Sequence, residues 1–196
     1  MKTTKEAILK TALETFSKQG YEGTALSDIS NRLNITKAAL YKHYPSKEGI
    51  YMAIGEYVMH HYLDHLNRLS QTPMPQNWAQ FRNLTCNQII FTLEDEVICQ
   101  ARRLLIMEQF RSEEMADLAT KHFRTQLEDR YGATFAHMME LGVMRKVDPA
   151  MAALQFTAPI TILVQHCDRE PKKKAEIIKE IEAFILQFSK DNAVNP

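Results

Sequence analysis

The sequence predicts an all-α fold of about nine helices. Three observations predict it. Apolar residues recur at helical spacing along most of the chain, and no stretch of useful length alternates with the period of two that a strand needs. Residues that start and stop helices, such as Gly20, Ser46, Gly142 and the Asp148-Pro149 pair, bracket the periodic stretches. With 196 residues, 45% of them hydrophobic, the chain is long enough to bury a sizeable core in one or two domains.

In the first helix Ile8 or Leu9, Ala12, Leu13 and Phe16 follow the i, i+3, i+4, i+7 pattern of one buried face. Gly20 is able to take the left-handed conformation that ends such a helix. Thr24 is expected to cap a second helix, which buries Leu26, Ile29 and Leu33 and closes at Asn34, a residue that tolerates positive φ. After a three-residue turn Thr36 caps a third helix over 37–43, burying Leu40 and turning Lys37, Ala38, Ala39, Tyr41 and Lys42 outward. A short helix presenting small, basic and aromatic groups suits the major groove of DNA.

Ser46 caps a fourth helix to about residue 70, with Ile50, Ile54, Tyr57 or Val58, His61 and Leu66 near one stripe. The prolines of Gln71-Thr72-Pro73-Met74-Pro75 end it. A fifth helix over 76–92, a sixth over 95–110 and a long seventh from Ser112 to Leu141 follow, the last stopped by Gly142. Asp148-Pro149 starts an eighth helix with two apolar stripes. Phe156, Ile160, Leu163, Val164 and Cys167 form one, and Met151, Leu154, Ala158 and Ile162 the other. An internal proline costs a helix about 3 kcal/mol, so a bend is expected at Pro159. Residues 168–171 read as a loop, and Lys172-Lys173-Lys174 opens a last helix carrying Ile177, Ile178, Ile181, Phe184, Ile185 and Phe188.

The first fifty residues carry a specific pattern: Phe16, Gly20-Tyr21, Thr24, Ile29, Ile35-Thr36-Lys37-Ala38, Leu40-Tyr41, His43-Tyr44 and Ser46-Lys47-Glu48. It resembles the DNA-binding region of the tetracycline-repressor-like (TetR) family of bacterial transcriptional regulators. Ala25 stands where that family often has a phosphate-touching Ser or Thr, Asn34 replaces the usual turn Gly, Ser30 and Leu33 replace Ala, and Tyr44 replaces Phe. The resemblance implies a helix-turn-helix DNA-binding domain over 1–48 and a helical domain over 49–196 that dimerises and binds a small effector. It further implies a repressor, released from a palindromic operator when the effector binds. Chemistry assigns Thr24, Tyr41, His43, Tyr44 and Lys47 to backbone contacts or their support, and Lys37, Ala38 and Lys42 to base edges, with Thr36, the cap of the third helix, among the DNA-binding residues.

A helix apolar on two sides must be covered on two sides. The expected second cover is another copy of the chain, through a two-fold interface of Phe156, Ile160, Leu163, Val164, Cys167, Ile177, Ile181, Phe184, Ile185 and Phe188. Aromatic and methionine side chains offer an effector pocket from Trp78, Ile90, Met107, Gln109, Phe110, Phe123, Tyr131 and Met138. Ten methionines make an interior that adapts to apolar ligands.

Whole-chain charge is uninformative, with 24 basic and 24 acidic residues. Its distribution is not. Residues 1–50 hold eight Lys and Arg against five Asp and Glu, leaving a negative excess of three in the remainder, so the head faces a phosphate backbone more favourably than the body does. Three scattered cysteines build neither a disulfide framework nor a zinc knuckle, and a reducing cytoplasm is the expected setting. No signal-peptide core is evident at the amino terminus, and no stretch is expected to span a membrane. No cofactor is expected. Two rival classes compete with this reading: a metal sensor using His61 and His65, spaced i, i+4, and a helical-bundle enzyme, for which no phosphate loop or nucleophile-base signature is found.

Overall fold

The computed structural model describes residues 4–69 and 73–194; Gln71 and Thr72 of the expected break lie outside them. Described residues form α1 (Lys5–Gly23), α2 (Leu26–Arg32), α3 (Lys37–Tyr41), α4 (Lys47–Leu69), α5 (Trp78–Glu94), α6 (Glu96–Glu108), α7 (Glu113–Thr120), α8 (Gln126–Glu140), α9 (Pro149–Arg169) and α10 (Lys174–Asn192). A π turn, Lys121–Thr125, joins α7 to α8 in one uninterrupted helical run, so these helices account for the nine rods expected. The fold is all-α, and its one extended pairing among the described residues is an isolated bridge between Met144 and Ala193.

Local chemistry explains most boundaries. Thr4 Oγ1 accepts the Ala7 amide, Asp95 caps α6 through Ile98, Asp148 caps α9 through Ala150 and Met151, and Ser46 Oγ accepts the Gly49 amide at the start of α4. Gly20 and Gly142 both take positive φ, +72° and +70°. Asn34 does so at +52°. Three boundaries correct the sequence reading. Helix α3 stops at Tyr41 rather than at 43. Helix α9 runs through Pro159 to Arg169, taking up part of the expected loop, and a 3-10 turn, Pro171–Lys173, precedes α10.

The chain packs as two compact units, one of residues 1–72 and 95–115 and the other of 73–94 and 116–196. In the first, α1 packs against α6, α4 and α2. Its core joins Ile8, Leu13, Phe16, Ile29, Leu40, Ile50, Ile54 and Leu104. The short α3 contributes one fully buried side chain, Leu40, and truncating such a residue costs about 2–5 kcal/mol. In the second unit, α8 packs along α9, and α10 packs against α9 and α5. Phe81, Tyr131, Phe135, Phe156 and Phe188 form its aromatic centre, with Phe156 and Phe188 ring centroids 4.8 Å apart.

Helix α9 is long and apolar enough by composition to cross a membrane, correcting the expectation that no stretch qualifies. Its two stripes are treated unequally. Phe156, Ile160, Val164 and Cys167 are buried in the unit's own core, with Leu163 packed against it, while Met151, Leu154 and Ile162 stay exposed, Ile162 at 63%. On α10, Ile177, Ile181, Ile185 and Phe188 are buried and Phe184 packs against the same core, whereas Leu186 is exposed. Of the ten residues expected to face a second copy, eight are buried in the subunit's own core, and Leu163 and Phe184 are half-buried against it. Helical periodicity detects both stripes but carries no information on which one turns inward.

Candidate nucleic-acid interface

The third helix is presented by capped turns. Asn34 reverses the chain after α2, and Thr36 Oγ1 then accepts the Ala39 amide at 3.1 Å, fixing the first turn of α3. Leu40 anchors that helix from below. Thr36, Lys37, Ala38, Tyr41 and Lys42 are left exposed on one short rod, Tyr41 at 49%, with His43 and Tyr44 half-buried just beyond it. Burial raises the Tyr44 phenol above its usual range, with Glu56 adding to the effect, and its ring packs against the first unit's core.

The second helix is fixed to the first by charge. Glu14 on α1 pairs with Arg32 on α2 and with Lys18, and Arg32 also donates to Thr15 Oγ1 at 3.3 Å. The hydrogen bond from Arg32, reinforced by Lys18, holds the Glu14 carboxyl down at about 2.

Thr24 does not sit as expected. Its side chain is buried, and its hydroxyl donates to the Gly20 carbonyl at 2.8 Å, back across the turn that ends α1. The first amide of the next turn, Ala25 N–H, is satisfied by Asp28 Oδ2 at 2.8 Å, so Asp28 takes the capping role and the buried Thr24 hydroxyl holds the turn instead.

A cluster that sequence reasoning missed supports the first residues of α4. The Glu108 carboxylate, at the end of α6, accepts the Tyr21 amide at 2.9 Å and lies 3.1 Å from Arg111 Nε. The Arg111 guanidinium stands 4.4 Å from the Tyr21 ring centroid and 4.5 Å from that of Tyr51, and Lys47 Nζ is 4.3 Å from the Tyr21 ring. A hydrogen bond to Glu48, aided by burial, pushes the Tyr21 phenol up to about 12. Tyr21 was visible as part of the N-terminal pattern. Beyond their own i, i+3 pairing, Glu108 and Arg111 carry no local signal, because Tyr21, Glu48 and Tyr51 lie far away along the chain, Tyr21 87 residues from Glu108.

The residues expected to line an effector pocket divide between the two compact units. Met107, Gln109 and Phe110 belong to the first unit, and Phe110 is 90% exposed. Trp78, Ile90, Phe123, Tyr131 and Met138 belong to the second, where Tyr131 and Met138 are buried in the core. Trp78 packs against that core and its indole donates to the Val143 carbonyl at 2.9 Å. Trp78, Tyr131 and Met138 thus each contribute to the packing of the second unit. His61, one of the pair on which the rival metal-sensor reading turns, has Nε2 at 2.8 Å from Asp95 Oδ2. Among the described residues no group of three or more His, Cys, Asp or Glu is disposed to hold a metal.

A bundle whose first unit offers a short, capped and polar helix on an apolar seat defines a helix-turn-helix DNA-binding protein. Residues 8–54 match the model of bacterial regulatory proteins of the tetR family, and residues 83–166 match the C-terminal domain of AefR-like transcriptional repressors. The chain is 45% identical over 64 residues to IcaR, the HTH-type negative transcriptional regulator of the biofilm operon icaADBC in Staphylococcus epidermidis; the match takes in 33% of this chain and 35% of that protein, about a third of its length. SmeT, the repressor of the Stenotrophomonas maltophilia multidrug efflux pump SmeDEF, shares the fold with a TM-score of 0.68 and 25% identity, over 98% of this chain and 91% of that one. A Saccharomonospora viridis protein solved in complex with choline superposes with a TM-score of 0.76 at 18% identity, over 98% of both chains. The chain belongs to the TetR family of bacterial transcriptional regulators and not to a family of enzymes.

Proposed function

We propose that this protein is a transcriptional repressor that binds a palindromic operator as a homodimer and lets go when a small, apolar effector binds. The observation that carries the reading is the exposed face of α3 beside its Thr36 cap, which offers Lys37, Ala38 and Lys42 to base edges. Thr36, Tyr41, His43, Tyr44 and Lys47 serve the sugar-phosphate rails or support the groups that do. The named roles of IcaR as a negative regulator and SmeT as a repressor support repression.

The unpartnered apolar face of α9 supports dimerisation. Met151, Leu154 and Ile162, with Leu186 of α10, are the surface a second copy covers, and two-fold symmetry then sets a palindromic target. The fold shared with a choline-bound protein supports a small ligand, and the aromatic and methionine content of the second unit supports its apolar character. A cytoplasmic location follows from work on DNA.

Selection of bound fragments from a random duplex pool tests the whole reading. The expected product is an inverted repeat whose affinity falls about a thousandfold between roughly 50 and 200 mM salt, given about three cationic contacts per subunit. Recovery of no enriched duplex at low salt overturns it.

A further inference from the structure

We propose that Glu108, the last residue of α6, and Arg111, in the turn after it, are positioning residues for Lys47, setting its ammonium toward the phosphate backbone; this rests on the reading that Lys47 contacts phosphate. The device begins with Gly20. Its φ of +72° breaks α1, and the following Tyr21 amide turns to Glu108 Oε1 at 2.9 Å instead of to a carbonyl in its own helix. A Cβ on Gly20 would stand 3.1 Å from that same oxygen, so the glycine gives both the turn and the room.

Glu108 is 7% exposed, and a buried carboxylate needs partners. It has two, the Tyr21 amide and Arg111. The guanidinium is planar and weakly hydrated, suited to lie against aromatic rings while pairing with carboxylates. Here it meets Tyr21 and Tyr51, whose rings stand edge to face at 5.0 Å, and its Nη1 is 3.8 Å from Glu48 Oε2.

Lys47 and Glu48, the first two residues of α4, thus both meet this cluster, Lys47 at the Tyr21 ring and Glu48 at the Arg111 guanidinium. Two cations, Lys47 and Arg111, balance two anions, Glu48 and Glu108, around one ring. Without the guanidinium the carboxylates are in excess, and Lys47, which shares the Tyr21 ring with it, is left to pair with them. An ammonium engaged that way releases no counterion from DNA.

The test is a double-mutant cycle on the selected operator, with affinity measured from about 50 to 200 mM salt. Its members are Lys47→Ala, Arg111→Met, which keeps an apolar stem over the rings, and the pair, each read below the melting midpoint set by circular dichroism. The expected result for each single variant is a loss of about tenfold and a salt slope reduced by about 1 per subunit. The double variant should be no weaker than either single one, and Arg111→Lys, which returns the charge, should recover the slope. An Arg111→Met loss with an unaltered slope, or one that adds fully to that of Lys47→Ala, assigns Arg111 to plain structural support and overturns the inference. Failure of the parent reading looks different: Lys47→Ala itself then keeps the original slope, or the unaltered protein binds no duplex.

Discussion

The two compact units hold themselves together by different means. The second is built around rings, with Phe81, Tyr131, Phe135, Phe156 and Phe188 in mutual contact and Phe81, Phe135 and Phe156 essentially inaccessible. In the first, a smaller apolar core is supplemented by polar links: Glu14 to Arg32 between α1 and α2, Thr36 at the head of α3, and Glu108 to the Tyr21 amide. Rings packed without polar partners make a unit tolerant of pH and salt. Polar links allow helices of seven and five residues to stand with little core beneath them, at the cost of sensitivity to solution conditions. A short exposed helix is what groove insertion demands, so the unit facing DNA is the one that relies on caps and charges.

The largest effect is expected from Phe156→Ala, which empties the centre of the aromatic core and should cost about 3–5 kcal/mol in urea unfolding followed by circular dichroism. A loss below about 1 kcal/mol breaks the comparison, because the second unit would then not depend on its rings. Next comes Gly20→Ala. The left-handed backbone costs an L residue about 1–2 kcal/mol, and the added Cβ crowds Glu108, so both stability and operator affinity should fall. Thr36→Ala removes the α3 cap, at about 1 kcal/mol, and should weaken operator binding more than it lowers the melting temperature. An equal loss of affinity from a cap removed elsewhere, as in Asp148→Ala, removes the distinction.

The smallest effect has the clearest pH signature. The folded Glu14 carboxyl lies at about 2, below its ordinary 4.5, so its pairing stabilises the protein above about pH 5 and that contribution drains away as pH falls toward 2. Because Glu14 is partly exposed, Glu14→Gln should cost no more than about 1 kcal/mol at neutral pH. The gap between the two proteins should close on acidification. A gap that stays constant down to pH 2 would show that charge pairing is not what joins α1 to α2.

Legibility followed the range of the forces involved. Gly20, Asn34, Thr36, Ser46, Asp148 and Gly142 act on their own backbone or on amides two or three residues away, and each was readable from its neighbours. Thr24 misled because a threonine at a helix boundary can cap forward or bond back, and the Gly20 turn placed a carbonyl within its reach. On α9 and α10 two stripes satisfy the same periodicity, and only packing against α8 and α5 decided that Phe156 and Ile181 turn inward while Ile162 and Leu186 do not. The proposed pocket drew on aromatic content, which is also what a core is made of; Tyr131 and Met138 belong to that core, and Phe110 ended in the open. Glu108 and Arg111 are ordinary surface residues by sequence and acquire their partners only when α6 lies along α1.

One indole serves the whole molecule, and it reports on only one of the units. Trp78 is the single tryptophan, seated on Phe81 and Phe188 with its N–H on the Val143 carbonyl. Its fluorescence therefore follows melting of the ring-built unit, while far-ultraviolet ellipticity averages over every helix. Superimposing the two curves during denaturation gives, with no label attached, the order in which reader and body come apart.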